Sequence, residues 1–181
     1  MFEWWRRAVD RALHAGRRRA ARAALAARPR PGFVLFVCHG NLCRSPFAAA
    51  AFAGRPEAAG IAVDSAGLLG NGRPAPAAAI AVAARRDVDL ATHHSQLVRG
   101  DLLAAADLVV VMDGVQRSAL VERLGCPGDR VVVLGDFDPW PITDRAILDP
   151  ITRPEPVFDA VYARIERCVA ALAAALPPRR A

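Results

Sequence analysis

The chain has no lysine. All 24 of its basic residues are arginine, set against 18 acids. Cysteine is scarce too: four in 181 residues are too few for a disulfide-stapled secreted scaffold. Apolar runs such as Leu102–Ala106 and Leu108–Met112 stop within a few residues. A bilayer-spanning helix needs ~20, so no transmembrane segment is expected. The charged N-terminus lacks the apolar core of a secretory signal, and the expectation is a cytoplasmic chain with reduced thiols. What is present is globular: 54% hydrophobic and 23% charged residues, at a length that suits one catalytic-sized domain.

The net charge of +6 sits at the ends. Residues 1–30 hold nine arginines and two acids (Glu3 and Asp10), and 177–181 add two more arginines, whereas 31–176 carry 13 arginines and 16 acids. A basic pI of this origin gives no reason to expect a nucleic-acid partner for the domain. Within 1–28, Phe2, Trp5, Val9, Ala12 and Leu13 recur at helical spacing, with Arg6, Arg7, Arg11 and Arg17–Arg19 mostly off that stripe. The pattern predicts a basic amphipathic helix, with a break expected at Gly16, and Pro29, Pro31 and Gly32 as linker. Such a helix suits an anionic membrane surface. A helix packed on its own domain, or a solvated charge run, fits the same residues. The expected division is an extension at 1–32, a domain at 33–176 and a tail at 177–181.

From Phe33 onward strands and helices alternate. Strands are expected at 33–37, 61–65, 108–112 and 130–134. Helices are expected after Pro46, at 76–86, near 101–106, at 114–124 and at 156–176. Residues 135–155, with four prolines and many aspartates, read as a long surface loop. Strand–helix alternation implies an α/β fold, a four-stranded parallel sheet in the order 2-1-3-4 flanked by helices. Ligands then bind beyond the carboxyl ends of strands 1 and 3.

The first strand runs straight into Cys38-His39-Gly40-Asn41-Leu42-Cys43-Arg44-Ser45-Pro46, and a helix follows. Loop amides and a helix N-terminus can there converge on one tetrahedral oxyanion. Gly40 and Asn41 tolerate left-handed backbone. Arg44 can grip two oxygens with its planar fork. Cys38, at the floor, meets a positive dipole and Arg44, surroundings that favour a nucleophilic thiolate. A bland alternative, two buried cysteines beside a tight turn, gives no use to Gly-Asn and Arg-Ser-Pro together.

Residues 38–46 match Cys-x-Gly-Asn-x-Cys-Arg-Ser-Pro, the signature of the low-molecular-weight protein tyrosine phosphatases, and the chain resembles that family over about 33–176. Asp64-Ser65-Ala66-Gly67, His93, Val111-Met112-Asp113, Leu134–Pro139 and Asp149-Pro150 are similar to further family segments. The resemblance implies that Cys38 forms a cysteinyl-phosphate and that Arg44, with the loop His39–Ser45, holds the phosphoryl oxygens. It implies that Ser45 hydrogen-bonds the sulfur, that Asp149 is the general acid, and that Ser45, Ser65 and His93 support Asn41. No metal or other cofactor is implied. The implied substrate is a phosphotyrosine protein, with bacterial tyrosine kinases as one class of partner. Cys43 reads either as a reversible disulfide partner of Cys38 or as a structural residue, and Cys126 and Cys168 as packing residues.

Departures accompany the match. Ile151 stands where the family usually has an aromatic after Asp-Pro, and Trp140 is a candidate substitute. Ala49 stands where a Glu is usual. Three other readings stay open: a protein-arginine phosphatase, which prefers Thr where this chain has Leu42; an arsenate reductase, whose relay cysteines are missing between 43 and 126; and a non-catalytic phospho-binding or membrane-docking module. Because every candidate catalytic residue lies beyond Phe33, residues 1–30 are expected to be dispensable for turnover.

Overall fold

Four short strands frame the molecule: β1 (Phe33–Cys38), β2 (Ala62–Gly67), β3 (Leu108–Val111) and β4 (Val131–Val133). They form one parallel sheet in the order β2-β1-β3-β4, the order expected from the alternation. The computed structural model describes the backbone of residues 2–179 and the side chains of residues 12–179. β1 pairs with β2 from Phe33 opposite Ala62 to Cys38 opposite Gly67, and with β3 from Val34 opposite Leu108 to Val37 opposite Val111. Chain order reverses between β1 and β3, so a crevice opens beyond their carboxyl ends.

The central strands are near-continuous Val, Leu and Phe because both faces of the sheet are covered. Alternation sends Val34, Phe36 and Cys38 to one side, with Leu108 and Val110, against α2 (Arg44–Ala53), α3 (Ala77–Ala84) and α6 (Glu155–Ala173). Leu35, Val37, Val109 and Val111 face a smaller layer with Leu103 of α4 (Gly100–Ala105), Leu120 and Cys126. The chain between β3 and β4 is α5 (Gly114–Ser118), started by the Asp113 side chain accepting from the Gln116 amide, and continued by a π-helical turn at Ala119–Arg123. Phe47 of α2 stacks on Tyr162 of α6 with ring centroids 3.9 Å apart, and Phe52 meets Phe36 at 5.5 Å. Each such ring contributes about 1.5–3 kcal/mol by burial, which fixes α2, and hence the loop before it, against the sheet.

Two sequence expectations are corrected. The N-terminal helix α1 (Phe2–Ala26) runs through Gly16 without a break. Its expected stripe at Phe2, Trp5 and Val9 lies outside the described side chains. Among the described ones, His14 and Leu25 are buried and Leu13 is 53% exposed. The helix lies along a 3-10 turn at Leu134–Phe137.

The second correction concerns the loop at 135–155, whose first part is interior. Gly135 to Asp138 are buried, and a Cβ on Gly135 would collide with the Arg145 carbonyl. Asp138 is 0% exposed. Its carboxylate accepts from Arg164 Nε at 3.0 Å, Arg167 Nε at 2.9 Å and the Trp140 amide at 3.1 Å. A Pro- and Asp-rich composition reads as solvated. Here arginines from a distant helix take the acid inside.

Candidate active site

Cys38 ends β1 at the sheet's switch point, residues 39–43 turn, and Arg44 opens α2. The turn closes on Asn41, whose φ of 53° lies in the left-handed region that Asn tolerates better than most residues. That conformation is braced from all sides. The Asn41 side-chain amide donates to Ser45 Oγ at 3.0 Å and Ser65 Oγ at 2.8 Å. Its Oδ1 accepts from the Gln96 amide at 2.9 Å, and its carbonyl accepts from His93 Nε2 at 2.7 Å. Every hydrogen-bonding group of this fully buried side chain has a partner, which is how a strained backbone persists.

The brace aims two donors at one sulfur. Cys38 Sγ accepts from the Asn41 amide at 3.2 Å and from Ser45 Oγ at 3.1 Å. Ser45 has one hydroxyl proton, and its alternative acceptor, the Ala66 carbonyl, is farther at 3.3 Å. β2 lies against this turn: a Cβ on Gly67 would stand 2.9 Å from the Asn41 nitrogen and 2.9 Å from the Gly40 carbonyl carbon, so only glycine fits.

Arg44 is 4% exposed. One terminal nitrogen donates to the Ile147 carbonyl at 3.0 Å, and the other pairs with the Asp149 carboxylate. Its Nε is buried without a partner among the described residues, a donor left over for an anion. Asp149 is also fixed by the Ile151 amide at 3.2 Å. Cys38, Leu42, Arg44, Leu69, Asp149 and Ile151 line one cleft, with His39 and Arg73 at its edge. Cys43 lines it too, but burial, with the negative charge of Asp149 and then Cys38, outweighs Arg44 and pushes its thiol up to about 12. The buried Tyr162 hydroxyl, raised well above the usual phenol range by burial, donates to the Cys43 carbonyl at 3.3 Å.

The catalytic, loop and supporting residues expected from sequence thus come together: Cys38, the loop His39–Ser45, Ser65, His93 and Asp149. Trp140 does not join them. It is 63% exposed, lies outside the cleft lining, and sits under the Arg167 guanidinium at 4.2 Å. Ile151 itself walls the cleft. Sequence reasoning missed Gln96, whose side chain donates to Asp64 and to the Ser65 carbonyl at 2.9 Å while its backbone holds Asn41. A lone Gln in an irregular segment has no periodic signal. Leu69, Gly70 and Arg73 were missed for the same reason.

A family profile described as low molecular weight phosphotyrosine protein phosphatase matches residues 33–180. The chain is 34% identical over 137 residues to a probable low molecular weight protein-tyrosine-phosphatase, EpsP, of Ralstonia nicotianae, covering 75% of this chain and 90% of that one. It is 32% identical over 144 residues to a protein-arginine-phosphatase of Geobacillus stearothermophilus, covering 79% and 95%. The crystal structure of the Erwinia amylovora tyrosine phosphatase AmsI superposes with a TM-score of 0.74 at 26% identity, covering 83% of this chain and 96% of that one.

Proposed function

The chain belongs to the low molecular weight phosphotyrosine protein phosphatase family, and from that premise we propose how residues 33–176 hydrolyse phosphotyrosine. The protein is a cysteine-dependent protein tyrosine phosphatase. One observation carries the residue roles: a single sulfur that accepts two hydrogen bonds at the floor of a cleft whose wall holds both Arg44 and Asp149.

The phosphoryl group enters between the loop amides and Arg44, whose unpartnered Nε is ready for one of its oxygens. In doing so it takes Arg44 from Asp149 and leaves that carboxyl beside the departing oxygen. Cys38 Sγ attacks phosphorus. The phosphorus–oxygen bond to the aryl group breaks, and Asp149, which takes up a proton from solvent once Arg44 has left it, gives that proton to the phenolate. Water then attacks the cysteinyl-phosphate, its proton passes to Asp149, and the sulfur–phosphorus bond breaks. Ser45 and the Asn41 amide stabilise the departing thiolate, while Arg44 and the loop N–H groups hold the equatorial oxygens through both steps.

Leu42, Leu69 and Ile151 make aliphatic walls that can sandwich a flat ring. This favours a phosphotyrosine over a phosphoarginine side chain, whose charged guanidinium needs polar partners at that wall. A tyrosine kinase as the phosphorylated partner, and a cytoplasmic setting, follow from the family reading. Among the described arginines of α1, Arg19 and Arg22 are exposed and free to meet a membrane surface, whereas Arg17 and Arg18 turn to the domain. No helix among the described residues is long and apolar enough to cross a membrane.

A panel of phosphotyrosine, phosphoarginine and phosphoserine peptides, with arsenate, tests this. Turnover of phosphotyrosine alone or far ahead of the others is expected. Preferred turnover of phosphoarginine would replace the reading with the arginine one.

A further inference from the structure

We propose that α1 is a strap that positions the general acid: through His14 and Arg18 it fixes the loop carrying Asp149, so the N-terminal extension takes part in catalysis although it touches no substrate. The proposal rests on Asp149 being the acid. The family profile begins at Phe33, so the strap belongs to this chain's own extension.

His14 is the one buried polar side chain of α1 among the described residues, 3% exposed on a helix that is otherwise mostly open to solvent. Its Nε2 lies 2.9 Å from the Asp138 carbonyl. A carbonyl only accepts, so Nε2 carries the hydrogen. Its Nδ1 is buried without a partner among the described residues. An apolar side chain would seat the helix at lower desolvation cost, so this imidazole is placed for the bond it makes. One turn along, an Arg18 terminal nitrogen donates to the Pro139 carbonyl at 2.7 Å. Arg17 lies 3.9 Å from Asp136.

Both carbonyls belong to the near end of the acid loop, and the far end is tied to the same hub. Arg164, bound to the Asp138 carboxylate, donates onward to the Asp144 carbonyl at 2.7 Å and the Ala146 carbonyl at 2.8 Å. The next residue, Ile147, donates to the Met112 carbonyl at 2.9 Å and accepts from Arg44 at 3.0 Å. Asp149 follows two residues later. A continuous set of hydrogen bonds therefore runs from α1 through Asp138 and Arg164 to the segment that sets where the carboxyl points. General acid catalysis depends steeply on that placement.

Leaving-group dependence separates positioning from folding. A fold defect lowers the active fraction and reduces turnover of every substrate in equal proportion. A displaced acid harms only substrates whose leaving oxygen must be protonated. The His14→Ala/Arg18→Ala double variant should lose about 10-fold in kcat/KM on phenyl phosphate and about twofold or less on 4-nitrophenyl phosphate. His14→Gln, which keeps a donor for the Asp138 carbonyl, should retain wild-type values on both. Equal losses on the two substrates, or no loss on either, would overturn the strap. Asp149→Asn, run beside it, guards the premise. A selective loss there with none in the double variant rejects the strap alone, and equal losses in Asp149→Asn reject the acid assignment and the strap together.

Discussion

Cys38 and Cys43 share one loop and differ in surroundings. Cys38 Sγ lies at the cleft floor under two donors, whereas burial pushes the thiols of Cys43 and Cys168 up to about 12 and raises that of Cys126. A thiol that holds its proton is a poor nucleophile. Iodoacetamide at pH 7 should therefore label Cys38 in the native protein and spare the other three, and inorganic phosphate should slow the labelling. Peptide mass mapping reads the site, and label on Cys43 before Cys38 would contradict this assignment. The residue types of the loop were legible in sequence because glycine, asparagine, arginine and cysteine each have a distinct use at an anion cradle. Gln96 was not, since it acts through a backbone amide and an ordinary side chain brought in from another segment.

At the scale of elements, the catalytic loop is shaped by what leans on it. β2 approaches so closely that Gly67 has no room for a methyl group: the atoms it would meet are backbone atoms of Gly40 and Asn41, which cannot swing aside as a side chain can. Gly67→Ala should push the loop off its braces and cost about 1–3 kcal/mol of stability. It should lower kcat/KM on aryl phosphates by more than the loss of folded protein explains, and weaken inhibition by phosphate in parallel. Thermal melting and steady-state kinetics together check this, and an unchanged phosphate affinity would contradict it. The strands were readable because buried parallel strands are runs of Val, Leu and Phe, and the order followed from alternation. The continuity of α1 was hidden by Gly16, whose helical penalty of about 1 kcal/mol is small beside the docking of the helix. The buried start of the 135–155 loop was hidden because its partners, Arg164 and Arg167, lie on α6 and carry no local mark of their contact.

Across the whole molecule, Asp138 joins α1, the acid loop and α6. Burial works to raise its carboxyl, but hydrogen bonds from Arg167 and the Trp140 amide, with the charges of Arg167 and the bond from Arg164, hold it below the usual carboxylate range. A depressed folded pKa contributes stability that is full above the unfolded value of about 3.9 and is lost as pH falls through the folded value. Asp138→Asn should thus destabilise the protein by about 2–4 kcal/mol at pH 7, since it strands two arginines. The two stability curves should converge only once pH has fallen below the depressed folded value. Denaturant titrations across pH measure this, and a constant offset between the curves would contradict it. The catalytic account rests on Cys38, and its most direct test is Cys38→Ser assayed on a phosphotyrosine peptide with phosphate binding followed by calorimetry. The account predicts turnover lost by roughly a thousandfold or more with phosphate still bound in the cradle. Residual turnover above a few per cent of wild type would contradict it.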